Sequence, residues 1–132
     1  PDLVRASVDD LRYRVFLGDV LFHANHHDLS ARWGWVPLLD FALGLRKILR
    51  NLKEGEFGIF DFTDSDATIR FQRNEEMVEV TASYAPGSAS VLYKSFLEEV
   101  DRFAGSVSSR LVNQYPELIE NRNFHKLKDE TP

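Results

Sequence analysis

A chain of 132 residues, with 43% hydrophobic and 28% charged residues, has the size and make-up of one soluble globular domain that buries roughly two-thirds of the surface exposed by its unfolded form. Ten Phe, four Tyr and two Trp exclude a disordered chain, and the absence of Cys excludes disulfides, thiolate catalysis and zinc–thiolate sites and fits a reducing cytoplasm. No apolar run approaches the roughly 20 residues that span a bilayer, and the N-terminus lacks the basic-then-apolar order of a signal peptide. The chain starts with Pro rather than Met, which reads as a trimmed product or a fragment.

Residues 3–8 alternate weakly and read as an edge strand or an arm. Leu11, Tyr13 and Val15 then alternate with Arg12, Arg14 and Phe16, Leu17-Gly18-Asp19 offers a turn, and Val20, Phe22 and Ala24 alternate with Leu21, His23 and Asn25. That pattern predicts a β-hairpin. His23, His26, His27 and Asp28 follow closely, and imidazole with carboxylate suits Zn²⁺, Ni²⁺ or non-haem iron. In a strand His23 and Asn25 share one face while His26 and His27 diverge, so two imidazoles at most reach one ion without a sharp turn. The competing reading is a solvated loop in which Asp28 or Ser30 caps a turn.

Trp33-Gly34-Trp35 leads into the most apolar helical pattern of the chain. Its indoles are either core anchors at a loop-to-helix corner, or one core anchor and one pocket wall or partner anchor. Arg32 is placed to stack on an indole or to reach a carboxylate such as Asp40. Leu38, Phe41, Ala42, Leu45, Ile48, Leu49 and Leu52 fall on one helical face, which predicts a helix from about Pro37 to Leu52. Pro37 suits the first turn, and Arg46, Lys47, Arg50 and Lys53 suit the negative end of the dipole. Asp40 sits among apolar neighbours, where a carboxylate is paired, held by the dipole or used in a site.

Three strands in a meander follow: residues 57–62, 68–73 and 77–84, with turns at Thr63–Asp66 and Arg73–Glu76. One face alternates apolar, the other polar. From Glu54 to Glu79 eight acidic residues stand against Arg70 and Arg73, a net −6 in a chain of −5. Such a field disfavours nucleic acid and anionic membrane and favours a basic protein partner; the bland alternative is a solvated sheet face. Residues 85–90 read as a flexible crossover. Tyr93, Phe96, Leu97, Val100, Phe103, Ala104, Val107 and Leu111 then mark a second long helix ending near Gln114. Ile119, Phe124 and Leu127 are packing residues of a last segment, with fraying expected near 1–8 and 126–132. The whole predicts a single α+β domain over residues 1–132, a predominantly antiparallel sheet of N-terminal hairpin plus three-stranded meander packed against two long helices.

This hairpin–helix–meander–helix plan, its acidic sheet and the Pro116-Glu-Leu ending resemble small bacterial α+β proteins of poorly characterised families, some of which act as immunity proteins for polymorphic toxins. The resemblance implies a stoichiometric, non-enzymatic inhibitor without a cofactor; its most distinctive segment, Arg32-Trp-Gly-Trp-Val-Pro37, carries no established role. In this reading Asp61, Asp64, Asp66, Glu75 and Glu76 steer a basic partner and Trp33 or Trp35 anchors it. The alternative is a small metal-dependent enzyme or metal-binding protein using His23, His26, His27 and Asp28, with Asp40 as a second carboxylate and His125 brought in from the tail. A third is a scaffold or homodimer that pairs through an exposed strand edge or the second helix. No Gly-x-Ser-x-Gly elbow or phosphate-binding glycine loop is present.

Overall fold

The computed structural model describes residues 2–24, 27–55, 57–62 and 65–129. A π-helical turn (Asp10–Arg14) precedes four short strands, β1 (Leu17–Val20), β2 (His23–Ala24), β3 (His27–Asp28) and β4 (Ala31–Pro37). Helix α1 (Leu38–Lys53) leads to strands β5 (Phe57–Asp61), β6 (Thr68–Asn74), β7 (Met77–Ala82) and β8 (Ser88–Leu92). Helix α2 (Tyr93–Gln114), a 3-10 turn (Pro116–Glu120) and helix α3 (Arg122–Asp129) complete an α+β fold whose paired strands are antiparallel. Among the described residues no helix is long and apolar enough to cross a membrane.

Period-two alternation gives β5–β8 one apolar face. Phe60, Ile69, Phe71, Val78 and Val80 are buried there against Phe41, Leu45, Ile48 and Leu52 of α1 and Phe96 and Val100 of α2. Glycine brings α1 and β5 close: a Cβ at Gly44 would stand 2.7 Å from the Phe60 ring, and one at Gly58 would stand 2.8 Å from Ile48. The helices bury their other faces too. Leu39, Ala42, Leu43, Ala104, Val107 and Leu111 meet Leu3, Leu11, Phe16, Leu118, Phe124 and Leu127 in a second core. The helix pair is therefore a middle layer between the sheet and the described segments 3–16 and 118–127.

Several expectations are corrected. Residues 11–16 are not a strand: the Val15 N–H donates to the Asp10 carbonyl at 3.0 Å, closing a π-helical turn that sends Leu11 and Phe16 into the second core. Gly18 and Asp19 lie within β1, which pairs with β4 in the register Leu17↔Pro37 and Gly18↔Val36. β2 instead pairs with β3 through His23↔Asp28 and Ala24↔His27, and Trp33-Gly34-Trp35 belongs to strand β4 rather than to a loop. Residues 88–92 of and beyond the supposed crossover form β8, paired with β7 through Val80↔Ala89. Near the N-terminus the Asn121 side-chain amide donates to the carbonyls of Leu3 (2.7 Å) and Ala6 (3.1 Å), while its oxygen accepts the Phe124 N–H (3.0 Å). A buried amide satisfied in this way ties residues 3–6 down instead of leaving an edge strand or a free arm. Helix α3 runs to Asp129, through part of the stretch read as a frayed end.

Candidate functional site

β4 brings two indoles together because residues two apart in a strand share a side. The Trp33 and Trp35 rings stack with centroids 5.0 Å apart. Trp33 also meets Phe62 edge-on at 5.3 Å and Tyr84 at 5.0 Å, and those two rings lie 5.7 Å apart. Gly34 between the indoles has φ +77°, a conformation that costs a side-chain-bearing residue, and its N–H donates to Asp19 Oδ1 at 2.7 Å. Trp33 is therefore locked by its neighbours yet 36% exposed. An indole held open in this way binds without first losing rotamer freedom.

Around this cluster stand three aspartates, Asp19, Asp28 and Asp66, with Arg32 as the nearby cation. Asp28 accepts hydrogen bonds from the Ser30 N–H (3.0 Å) and from Arg32 Nη1 (2.9 Å). Hydrogen bonding from Ser30, then from the Arg32 guanidinium, holds the Asp28 carboxyl well below the usual carboxylate range. The Tyr84 hydroxyl donates to the Leu29 carbonyl at 2.6 Å. Burial, with the nearby Asp28 charge, pushes Tyr84 up to about 12. Asp66 is exposed in the turn that the Phe62 N–H closes onto the Ala67 carbonyl at 3.0 Å. Asp19, Asp28 and Asp66 thus face outward at the end of the fold that carries Trp33, with Arg32 already engaged by Asp28.

The anticipated acidic surface divides. Asp61 is exposed on the side of β5 opposite to Phe62 and Phe60. Glu75 and Glu76 occupy the β6–β7 turn, at the far end of seven-residue β6 and about 20 Å from the Trp33 end. Arg73 is spent there: it donates to the carbonyls of Glu75 (2.8 Å) and Leu52 (3.0 Å) and lies 4.0 Å from the Tyr93 ring centroid. Asp64 lies outside the described residues.

Asp40 pairs with Arg12 at 2.7 Å, not with Arg32, whose partner is Asp28. The correction follows from the π-helical turn, which turns Arg12 back over the start of α1. His23 Nδ1 lies 3.9 Å from Asp28 Oδ1, and His27 packs beside Gly87 in the β7–β8 turn. His26 lies outside the described residues. His125 sits on α3 with Nε2 2.6 Å from the Ile119 carbonyl oxygen. Among the described residues no group of three or more His, Asp or Glu is placed to hold a metal ion.

No family model, curated protein or solved structure matches this chain. A separate cleft of about 300 Å³ opens between α2 and the segment joining β1 to β2, with Phe41, Val80 and Val100 at its floor and His23, Ser95 and Glu99 as its polar groups. Phe62, Tyr84 and Asp19 are members of the Trp33 cluster that strand periodicity does not single out. Phe62 and Tyr84 each stand beside a turn, the one signal in the sequence that they share.

Proposed function

We propose that this chain is a non-enzymatic protein-binding domain that holds a basic partner at the Trp33 end, as an inhibitor of the immunity type. The half-open, pre-positioned Trp33 carries this reading. An indole in that state offers an apolar anchor or a face for a Lys or Arg side chain, and aromatic anchors of this kind are worth about 2 kcal/mol or more at interface centres. Asp19 and Asp66 add the sign of charge that speeds encounter with a cationic surface, while the Asp28 charge is offset by Arg32. A chain without Cys suits work in a reducing cytoplasm.

Capture of partners by the tagged chain from its native lysate tests the proposal. Wild type is expected to retain one basic protein in equal amount, with retention falling as salt rises. Trp33→Ala with Asp66→Lys lowers its affinity about 30-fold or more, whereas Glu75→Lys with Glu76→Lys leaves it nearly unchanged. Equal retention by the Trp33 variant removes the proposed site.

A further inference from the structure

Strand β5 is an edge of the four-stranded sheet, with β6 on one side and, among the described residues, no strand on the other. The bonds from the Phe62 N–H to the Ala67 carbonyl (3.0 Å) and from the Ser83 N–H to the Thr68 carbonyl (2.9 Å) fix the alternation along β5 and β6. Gly58 and Phe60 direct their N–H and C=O groups to β6, while Phe57, Ile59 and Asp61 direct theirs to the open edge. Exposed edges are ordinarily shielded by charged side chains, Pro, a bulge, an inward charge or a covering element. β5 is Phe-Gly-Ile-Phe-Asp, regularly paired with β6 and without Lys or Pro; Asp61 is its one charge, and its outward Phe57 and Ile59 are 48% and 43% exposed. The opposite edge differs, since β8 presents Ser88 and Ser90 outward and has β2 beside it.

We propose that β5 pairs antiparallel with β5 of a second copy about a twofold axis at Ile59, joining the two sheets edge to edge. Only registers that pair residues of equal parity keep outward side chains outward, and the one centred on Ile59 uses the whole strand. Ile59 then faces the second copy's Ile59, and Phe57 faces the second copy's Asp61. Arg70 stands over the Phe57 ring, 4.8 Å from its centroid, so the second copy's Asp61 arrives beside a guanidinium. The charges therefore complement each other twice, once on each side of the axis. On the inner face Gly58 lies opposite the second copy's Phe60, with Ile48 of its own chain seated over the glycine. Below this edge, the flank of α1 continues from Gly44 to Lys47 and Asn51 at helical spacing, and Lys47 is its one long side chain. About six backbone hydrogen bonds across so short a strand make a small interface, with a Kd on the order of 100 µM.

Sedimentation velocity on the full chain from about 10 µM to about 1 mM tests this pairing. Wild type is expected to pass from monomer to dimer across that range, and Ile59→Lys to remain monomeric with an unchanged circular dichroism spectrum. Asp61→Arg alone and Arg70→Asp alone each weaken the dimer about tenfold, and the double exchange restores it, an outcome that loss of folding does not produce. Trp33→Ala leaves dimerisation unchanged, which separates this edge from the partner site. A chain that stays monomeric at the highest concentration, or a dimer indifferent to Ile59→Lys, overturns the proposal.

Discussion

Asp40 shows how a single charge is accommodated inside the second layer. Its side chain retains 10% of its accessibility and that of Arg12 26%, and their 2.7 Å contact compensates a carboxylate that the surrounding leucines cannot. Arg12→Ala removes the partner and leaves the charge, so urea unfolding should show a loss of about 1–3 kcal/mol. Replacing both residues by apolar ones should cost less than Arg12→Ala alone. The need for a partner was legible in the sequence, but its identity was not, because Arg12 is 28 positions away and the residues around it read as a strand. Tyr84 provides a pH-dependent test. Its folded value of about 12 lies above the ordinary 10.0, so its contribution to stability is full below pH 10 and disappears as pH rises through 12. A tyrosinate absorbance titration should show a late step that Tyr84→Phe removes.

At the scale of elements, two helical glycines make opposite predictions from one rule. Glycine within a helix costs about 0.8–1.0 kcal/mol relative to alanine. At Gly105 of α2 an added Cβ meets nothing within 4 Å, so Gly105→Ala should stabilise by roughly that amount. At Gly44 the same atom would enter the Phe60 ring, which is buried and held by Phe41 and Phe62. Gly44→Ala should therefore destabilise by about 1–3 kcal/mol despite its better propensity, as thermal unfolding of both variants would show. Both long helices and the meander strands were legible because each presents an uninterrupted period of 3.6 or 2. The failures share a cause: short segments hold too few residues to express a period. Leu11, Val15 and Phe16 satisfy a loose strand pattern as well as the π-helical turn they adopt, and β8 pairs Ala89 and Val91 inward amid serines that read as a loop. The aromatic cluster was half legible. Trp33 and Trp35 announced themselves, whereas Phe62 and Tyr84 join them only through the packing of β4 across the sheet end.

Across the whole molecule, separation decides what the acidic stretch does. Its −6 charge is a sequence quantity, but the turn at Glu75 and Glu76 lies about 20 Å from the Trp33 end, two Debye lengths at 0.1 M salt. The two ends therefore act as independent fields at physiological ionic strength. Reversing Asp66 should slow association and flatten its salt dependence, while reversing Glu75 and Glu76 should affect neither above about 0.1 M salt in stopped-flow measurements. The sheet edge at β5 lies between these ends, so the proposed dimerisation and the proposed partner binding should proceed separately.

The proposed partner contact centres on Trp33. Its most direct test follows the two indole N–H signals and the backbone amides by NMR while the captured partner is added to isotope-labelled chain. The Trp33 indole signal and the amides of Asp28, Gly34 and Asp66 are expected to shift together, with Glu75 and Glu76 unmoved. Shifts gathered at Glu75 and Glu76, with the Trp33 signal unchanged, would contradict it.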